Sequence, residues 1–91
     1  MKIAFAGSFA ARLADSVRGQ LSIPCEVVVD DEAQILPRLA DADVLVSMTF
    51  TRQMAEAGHR LRLIQVPGAG LDRVDRSALQ PGMRLANAYG H

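Results

Sequence analysis

The chain has 91 residues, enough for one small domain with a thin core. Ten basic and ten acidic side chains give a formal net charge of zero, so the chain lacks the positive excess of nucleic-acid and membrane-surface binders, and we expect neither partner. The lone Cys25 excludes an internal disulfide, and the apolar run before Ser8 is too short for a signal peptide or a membrane span. We therefore expect a cytoplasmic protein without metal ligands.

Short apolar runs alternate with amphipathic stretches along the chain. KIAFAG predicts a first strand, and SFAARLADSVRGQL, with apolar residues four apart, predicts a helix after it. EVVVD predicts a second strand, and DEAQILPRLADA a helix that Pro37 kinks or delays. DVLVSM predicts the third strand, followed by the helix TRQMAEAGHR, which Thr51 caps and Gly58 ends. LRLIQVPG predicts the fourth strand, DRVDRSAL a short helical turn capped by Asp72, and PGMRLANA a turn into the fifth strand.

This alternation predicts a parallel sheet with helices on both faces, because parallel strands need right-handed crossovers. Five units in this length are most similar to a flavodoxin-like three-layer α/β sandwich with a five-stranded parallel sheet in the order 2-1-3-4-5. We expect residues 1–91 to form a single domain. Because no fifth helix follows the fifth strand, we also expect the chain to be a fragment of a larger protein.

The stretch QVPGAGLDRVD, residues 65–75, is the candidate binding segment, which we call the glycine loop. It is a poor nucleotide site, because Arg73 stands where the third glycine of a dinucleotide fingerprint belongs, and such a fingerprint follows the first strand of its unit. Its glycines, Gly68 and Gly70, allow consecutive N–H groups to converge on an anion such as a substrate carboxylate. A tight turn capped by Asp72 is an equally good interpretation.

Other strand ends offer weaker candidates. Gly7 and Ser8 lack the further glycines and the lysine of a phosphate loop, so they predict a plain turn. Asp30 and Asp31 precede a predicted helix, and acids in this position cap a helix more often than they hold a cation or a ribose hydroxyl.

Two segments carry a family resemblance. LRLIQVPGAGLDRVDRSAL, followed by GMRLANAYGH, resembles a segment of the NAD-dependent D-isomer-specific 2-hydroxyacid dehydrogenases, in which a G-x-G-x-D-x-[IV]-D pattern precedes an asparagine. The matching residues are Gly68, Gly70, Asp72, Val74, Asp75 and Asn87. The resemblance is specific over residues 61–91, and upstream ADADVLVSMTFTRQMAEAG is similar to the third strand and helix of the same family.

The resemblance implies the substrate-binding lobe of a two-lobed enzyme, usually a homodimer, that interconverts 2-oxo acids and D-2-hydroxy acids by hydride transfer. NAD or NADP would bind a Rossmann lobe that is absent from this chain and that also carries the catalytic arginine, glutamate and histidine. We therefore expect no catalytic residue in this chain and assign no catalytic role to His59 or His91. The amides of Ala69 and Gly70 would hold the substrate carboxylate. The implied substrate-binding residues are Met48, Thr49, Phe50, Gly68, Ala69, Gly70 and Asn87.

Alternatives from other classes stay open. The chain could be a stand-alone, non-catalytic module that binds small acids; a self-covered sheet would favour it, whereas an exposed apolar face would favour a fragment. A flavin carrier is a weaker reading, because the chain has no Trp and only Tyr89 as its tyrosine. For Met48 to Phe50, ordinary packing at a strand end is as good an interpretation as a substrate contact.

Overall fold

The computed structural model describes residues 1–7, 10, 12–14, 25–68 and 71–87. Strands are β1 (Lys2–Ala6), β2 (Glu26–Asp30), β3 (Val44–Ser47), β4 (Leu63–Val66) and β5 (Arg84–Asn87). Helix α1 spans Arg52–Ala57, and two short 3-10 turns span Leu36–Arg38 and Arg76–Ala78. Residues 10 and 12–14 are helical, and they are the described part of the predicted first helix.

The five strands form one parallel sheet in the order β2-β1-β3-β4-β5, which confirms the predicted fold class. Their register aligns the carboxyl ends. Ala6 pairs with Asp30 on one side and with Ser47 on the other, and Val66 pairs with Asn87. The loops that leave these ends therefore start from one edge, which we call the carboxyl edge.

Both faces of the sheet are covered, which explains why the strands read as unbroken apolar runs. In β1, Ala4 and Ala6 belong to one core cluster, while Ile3 and Phe5 belong to a second cluster on the opposite face. The first cluster includes Met54 and Ala55 of α1, and the second includes the helical residues Ala10 and Ala14. The two clusters establish the three layers. Among the described residues, no helix is long and apolar enough to cross a bilayer.

The connection between β2 and β3 is not the helix that the sequence predicts. It consists of a turn over residues 32–35 and the 3-10 turn Leu36–Arg38, whose second residue is Pro37. Proline lacks an N–H group and fits only the first turn of a helix, so the segment cannot continue as a regular α-helix around it. Asp31 acts as a cap, but it caps this turn and not a helix. Its Oδ1 accepts hydrogen bonds from the N–H groups of Ala33 at 3.0 Å and Gln34 at 2.7 Å.

Helix α1 begins and ends where the sequence predicts. The Thr51 hydroxyl accepts the N–H of Met54 at 3.1 Å, and the N–H of Gly58 donates to the carbonyl of Met54 at 2.9 Å. Gly58 is required by close packing, since a Cβ there would lie 2.5 Å from Cδ1 of Leu61. A six-residue helix depends on such ends, because few of its N–H and C=O groups find partners inside it.

Replacing Thr51 with alanine is expected to lower the free energy of unfolding by about 1 kcal/mol, because the N–H of Met54 loses its side-chain acceptor. Urea unfolding of wild type and T51A measures this difference. Thr51→Ser keeps the hydroxyl and should stay within a few tenths of wild type. Equal stability of T51A and wild type would show that the cap does not stabilise α1.

Candidate functional site

At the carboxyl edge, the connections that leave β1 and β3 run in opposite directions along the sheet. In the order 2-1-3-4-5 the direction changes between β1 and β3, and open α/β sheets bind ligands in the crevice there. Gly7 follows β1 with φ +91°, and its N–H donates to the carbonyl of Asp30 at 2.9 Å. Ser47 ends β3 on the other side. We call the space between these two residues the switch-point crevice.

Ser47 shapes the loop after β3 from inside the protein. Its side chain is fully buried, its hydroxyl donates to the carbonyl of Thr49 at 2.7 Å, and its oxygen accepts the N–H of Thr49 at 3.1 Å. A hydroxyl can make both bonds at once because it is donor and acceptor. The backbone of Thr49 is therefore held in one position beside the crevice.

The glycine loop is attached to the loop after β3 by backbone hydrogen bonds. The N–H of Phe50 donates to the carbonyl of Arg73 at 3.1 Å, and the N–H of Asp75 donates to the carbonyl of Phe50 at 2.8 Å. These bonds flank an isolated parallel bridge between Phe50 and Val74. Two segments that are separate in the sequence thus lie side by side at the carboxyl edge.

Met48 packs directly against the first glycine of the loop. A Cβ placed on Gly68 would lie 2.9 Å from Cε and 3.3 Å from Sδ of Met48. Gly68 does not adopt a left-handed backbone, so its lack of a side chain serves this close approach. Ala69 and Gly70 lie outside the described residues, and the arrangement of their amides stays a prediction.

Phe50 and Thr49, the other two residues of the segment after β3, differ in whether their side chains can contact a ligand. Phe50 has 0% exposure and belongs to the first core cluster, so its side chain has no surface to present to a ligand and the packing interpretation fits it. Thr49 is half-buried, and its Oγ1 is buried without a hydrogen-bond partner among the residues the structure describes. A buried hydroxyl left in this way costs about 1–3 kcal/mol, which a ligand oxygen or a water molecule would offset.

Asp75, and not Asp72, caps the short turn after the glycine loop. It precedes the 3-10 turn Arg76–Ala78, and its Oδ1 accepts the N–H of Ser77 at 3.1 Å. A hydrogen bond from the Ser77 hydroxyl holds the pKa of Asp75 below its ordinary value. The predicted Asp72 cap is wrong because the turn begins later than the sequence suggests, and Asp72 is exposed. Local capping thus accounts for the second acid of the family pattern.

Asn87 lies beside the start of the glycine loop. It ends β5, pairs with Val66 in the sheet and is half-buried. Its position places it one strand away from Pro67 and Gly68, as expected for a residue of the same edge.

An ion pair that sequence reasoning missed crosses the carboxyl edge. Nη2 of Arg73 lies 3.1 Å from Oε1 of Glu32, a residue 41 positions earlier in the chain. The Glu32 side chain in turn covers Gly7, since a Cβ on that glycine would lie 3.6 Å from Cγ of Glu32. No local pattern could indicate this pair, because its two members meet only when the sheet is assembled.

A cavity of about 550 Å³ lies at the opposite edge of the sheet, and Lys2 engages the acidic side chains that line it. Nζ of Lys2 donates to Asp41 at 2.5 Å, and this bond holds the pKa of Asp41 below its ordinary value. The N–H of Lys2 donates to Asp43 at 2.9 Å. These contacts stabilise the start of β1.

One face of the sheet carries an apolar groove of about 400 Å³. It is lined by side chains of β1, β3 and β4, among them Ile3, Val44, Val46 and Leu63, and by Leu13 of the helical residues on that face. The lining side chains are buried or half-buried, so the groove is not a large exposed apolar patch.

The sheet order and the loops at its carboxyl edge define the chain as a flavodoxin-like α/β domain. No protein-family model matches the chain, and no curated protein matches it. Solved structures do match. A 3-phosphoglycerate dehydrogenase from Entamoeba histolytica, with bound NAD+, shares 26% identity at a TM-score of 0.81 over 96% of this chain and 32% of its own. A 2-hydroxyacid dehydrogenase from Ketogulonicigenium vulgare Y25 shares 25% identity at a TM-score of 0.70 over 94% of this chain and 29% of its own.

An NAD-dependent formate dehydrogenase from Staphylococcus aureus has the same fold, with 20% identity, a TM-score of 0.72, and coverage of 96% of this chain and 31% of its own. The resemblance to NAD-dependent 2-hydroxyacid dehydrogenases is confirmed by the two structures with 25% and 26% identity. The chain spans about a third of the length of each protein. It therefore has the fold of a domain found in NAD-dependent oxidoreductases.

Proposed function

We propose that this chain is the substrate-binding lobe of an NAD(P)-dependent oxidoreductase that interconverts 2-oxo acids and D-2-hydroxy acids. The observation that carries the proposal is the hydrogen-bonded bridge between Phe50 and residues 73–75. Together with the contact of Met48 and Gly68, it brings the described parts of the glycine loop beside the segment after β3. These are the segments that the family resemblance assigns to the substrate. Their meeting at the carboxyl edge of the sheet is the arrangement that substrate binding requires.

Each part of this edge has a role in the proposed site. The amides of Ala69 and Gly70 hold the substrate carboxylate, and the Thr49 hydroxyl gains in the ligand the hydrogen-bond partner it lacks in the described chain. Met48, fixed against Gly68, limits the size of the substrate side chain. The lobe positions the acid, and the reacting groups come from elsewhere.

The described residues do not fit the nicotinamide cofactor. A dinucleotide pyrophosphate needs a glycine turn that opens into a helix N-terminus after the first strand. Here the carboxyl group of Glu32 covers Gly7, with Oε2 3.7 Å from the position of a Cβ on that glycine. Glu32, held by Arg73, occupies the place that a pyrophosphate would need, so the cofactor, NAD or NADP, is assigned to another lobe and no step of hydride transfer is derived for this chain.

A larger parent protein is part of the proposal. The chain spans about a third of each matching dehydrogenase, and this share favours residues 1–91 as one domain of a two-lobed enzyme. That the enzyme is cytoplasmic and homodimeric is kept as an expectation. The intact mass of the natural protein tests this. A product of about twice the typical domain size or more, with a glycine fingerprint after His91, supports the enzyme; one that ends at His91 supports the stand-alone acid-binding module.

Acid binding can be tested on the 91-residue chain itself by NMR titration of the ¹⁵N-labelled protein with pyruvate. We expect saturable shifts of the amides of residues 68–70 and Thr49, with a dissociation constant of about 1 mM, as fits a small ligand held by one lobe. Thr49→Val should weaken binding by about fivefold, because one hydrogen bond to the ligand is lost.

A matched threonine provides the control. Thr49→Val removes a hydroxyl without a described partner, so its urea midpoint should not fall. Thr51→Ala should lower the midpoint and leave the pyruvate affinity unchanged, because Thr51 caps α1. Shifts spread over the whole chain, or none at pyruvate concentrations well above 1 mM, would contradict acid binding at this edge.

A further inference from the structure

A smaller cavity lies at the edge of the sheet where the strands begin, opposite the carboxyl edge. We call it the amino-edge cavity; its volume is about 350 Å³, and it is lined by Met1, Asp43, Val44, Arg60 and Arg62. It adjoins the cavity of about 550 Å³ at the same edge, with which it shares three of these residues. Ligand sites usually occupy about 300–1,000 Å³, so the amino-edge cavity has room for a small molecule.

The backbone that carries the two arginines of this cavity is fixed. Arg60 and Arg62 flank Leu61, whose side chain is 4% exposed. Leu61 packs closely on Gly58, since a Cβ on that glycine would lie 2.5 Å from Cδ1 of Leu61, and its N–H donates to the Gly58 carbonyl at 2.9 Å. The N–H of Arg62 donates to the carbonyl of Asp43 at 2.8 Å. Both arginine side chains therefore start from backbone positions that are held beside a buried residue.

Neither guanidinium group is committed to a partner within the protein. Both arginines are exposed, and in the part of the chain that the structure describes their side chains make no hydrogen bond or close ion pair. The nearby acids are engaged by Lys2 instead: its Nζ lies 2.5 Å from Oδ1 of Asp41, and its N–H donates to Oδ2 of Asp43 at 2.9 Å. The pKa of Asp41 is held below its ordinary value chiefly by the hydrogen bond from Lys2 and least by the charge of Arg60. The N–H donors of Arg60 and Arg62 are therefore available to a ligand.

The chemistry of the amino-edge cavity favours an anion that also carries hydroxyl groups. Two guanidinium groups and one carboxylate line the cavity, so positive charge is in excess among these side chains. Planar guanidinium groups bind phosphoryl oxygens through paired hydrogen bonds. Oδ2 of Asp43 is occupied by the N–H of Lys2, whereas Oδ1 accepts no hydrogen bond from the described residues and is free to accept one from a hydroxyl group.

We propose that the amino-edge cavity binds a small phosphomonoester with hydroxyl groups, such as a sugar phosphate. Arg60 and Arg62 bind the phosphoryl group, and Oδ1 of Asp43 accepts a hydrogen bond from a hydroxyl group of the same molecule. The inference does not rest on the proposed function, because the cavity shares no residue with the acid site and lies at the other edge of the sheet.

NMR titration of the ¹⁵N-labelled chain with ribose 5-phosphate, inorganic phosphate and ribose tests this site. Ribose 5-phosphate should give saturable shifts of the amides of Asp43, Val44, Leu61 and Arg62, with a dissociation constant of about 1 mM or below. It should bind about tenfold more tightly than inorganic phosphate, because its hydroxyl groups reach Asp43, and ribose alone should not bind. Arg62→Gln should weaken the binding of ribose 5-phosphate about tenfold or more, because charge-assisted hydrogen bonds are lost. The urea midpoint of R62Q should equal that of wild type, since the side chain has no partner among the described residues.

Arg76→Gln is the matched control, because it removes the same charge from an exposed side chain that does not line the cavity. R76Q should keep the wild-type affinity for ribose 5-phosphate. An equal loss in R62Q and R76Q would overturn the inference, since general charge attraction would then explain the binding. Equal affinities for ribose 5-phosphate and inorganic phosphate would overturn the hydroxyl contact and with it the proposed ligand class. If these amides do not shift at ribose 5-phosphate concentrations well above 1 mM, the two arginines are solvated surface groups and the site does not exist.

Discussion

Replacing Phe50 with alanine is expected to lower the free energy of unfolding by about 3–5 kcal/mol. Phe50 has 0% exposure and lies in the core cluster with Leu45, Met54 and Ile64. Truncation removes its buried surface and leaves a cavity that the surrounding strands cannot close fully. Small domains have a total stability of about 5–15 kcal/mol, so a loss of this size removes much of the stability of the protein. Urea and thermal unfolding should therefore give a lower urea midpoint and a lower melting temperature for F50A.

A conservative variant separates packing from substrate contact at the same position. Phe50→Leu keeps most of the volume and should cost less than about 1.5 kcal/mol. Its pyruvate affinity should equal that of wild type, because the Phe50 side chain has no exposed surface. A folded F50L that no longer binds pyruvate would instead make Phe50 a substrate contact, and a cost below about 1 kcal/mol for F50A would refute the core assignment.

Replacing Ser47 with alanine is expected to cost about 1–3 kcal/mol, because the N–H and carbonyl groups of Thr49 lose their partner at a fully buried position. The loop after β3 is then less restrained, so pyruvate binding should weaken as well. Urea unfolding gives the first quantity and NMR titration the second.

Ser77 offers the matched control for Ser47. Its hydroxyl also makes a hydrogen bond, to Asp75, but the side chain is exposed and water can replace the bond. Ser77→Ala should change stability by less than about 0.5 kcal/mol and leave binding unchanged. Equal losses for S47A and S77A would show that burial at Ser47 does not matter.

Local sequence predicted the strands, the sheet order and both ends of α1. Strands buried on two faces must be continuously apolar, and the parallel order follows from right-handed crossovers. Thr51 and Gly58 act through groups within a few residues, so their roles can be read from the chain. The connection between β2 and β3 could not be predicted in full, because Pro37 was compatible with a kinked helix or a delayed one. The segment instead forms a 3-10 turn, and Ile35 and Leu39 pack into the core.

Part of the structure around the candidate site was predictable for the same reason, while its role in binding stays a prediction. The glycine loop was evident because its pattern lies within a few consecutive residues, whereas the exact start of the turn after it decided whether Asp72 or Asp75 became the cap. Phe50 could have been a core residue or a substrate contact, and only its position in the folded chain shows that it is buried.

By itself, the sequence determined the five strands, the flavodoxin-like fold class and the family resemblance of the glycine loop. The tertiary structure alone decided which loops meet: Phe50 with Val74, Met48 with Gly68, and Glu32 with Arg73. The physical reason is distance along the chain. Propensities, caps and periodicity act between neighbours in the sequence, whereas these contacts join loops that only the parallel sheet brings to one edge.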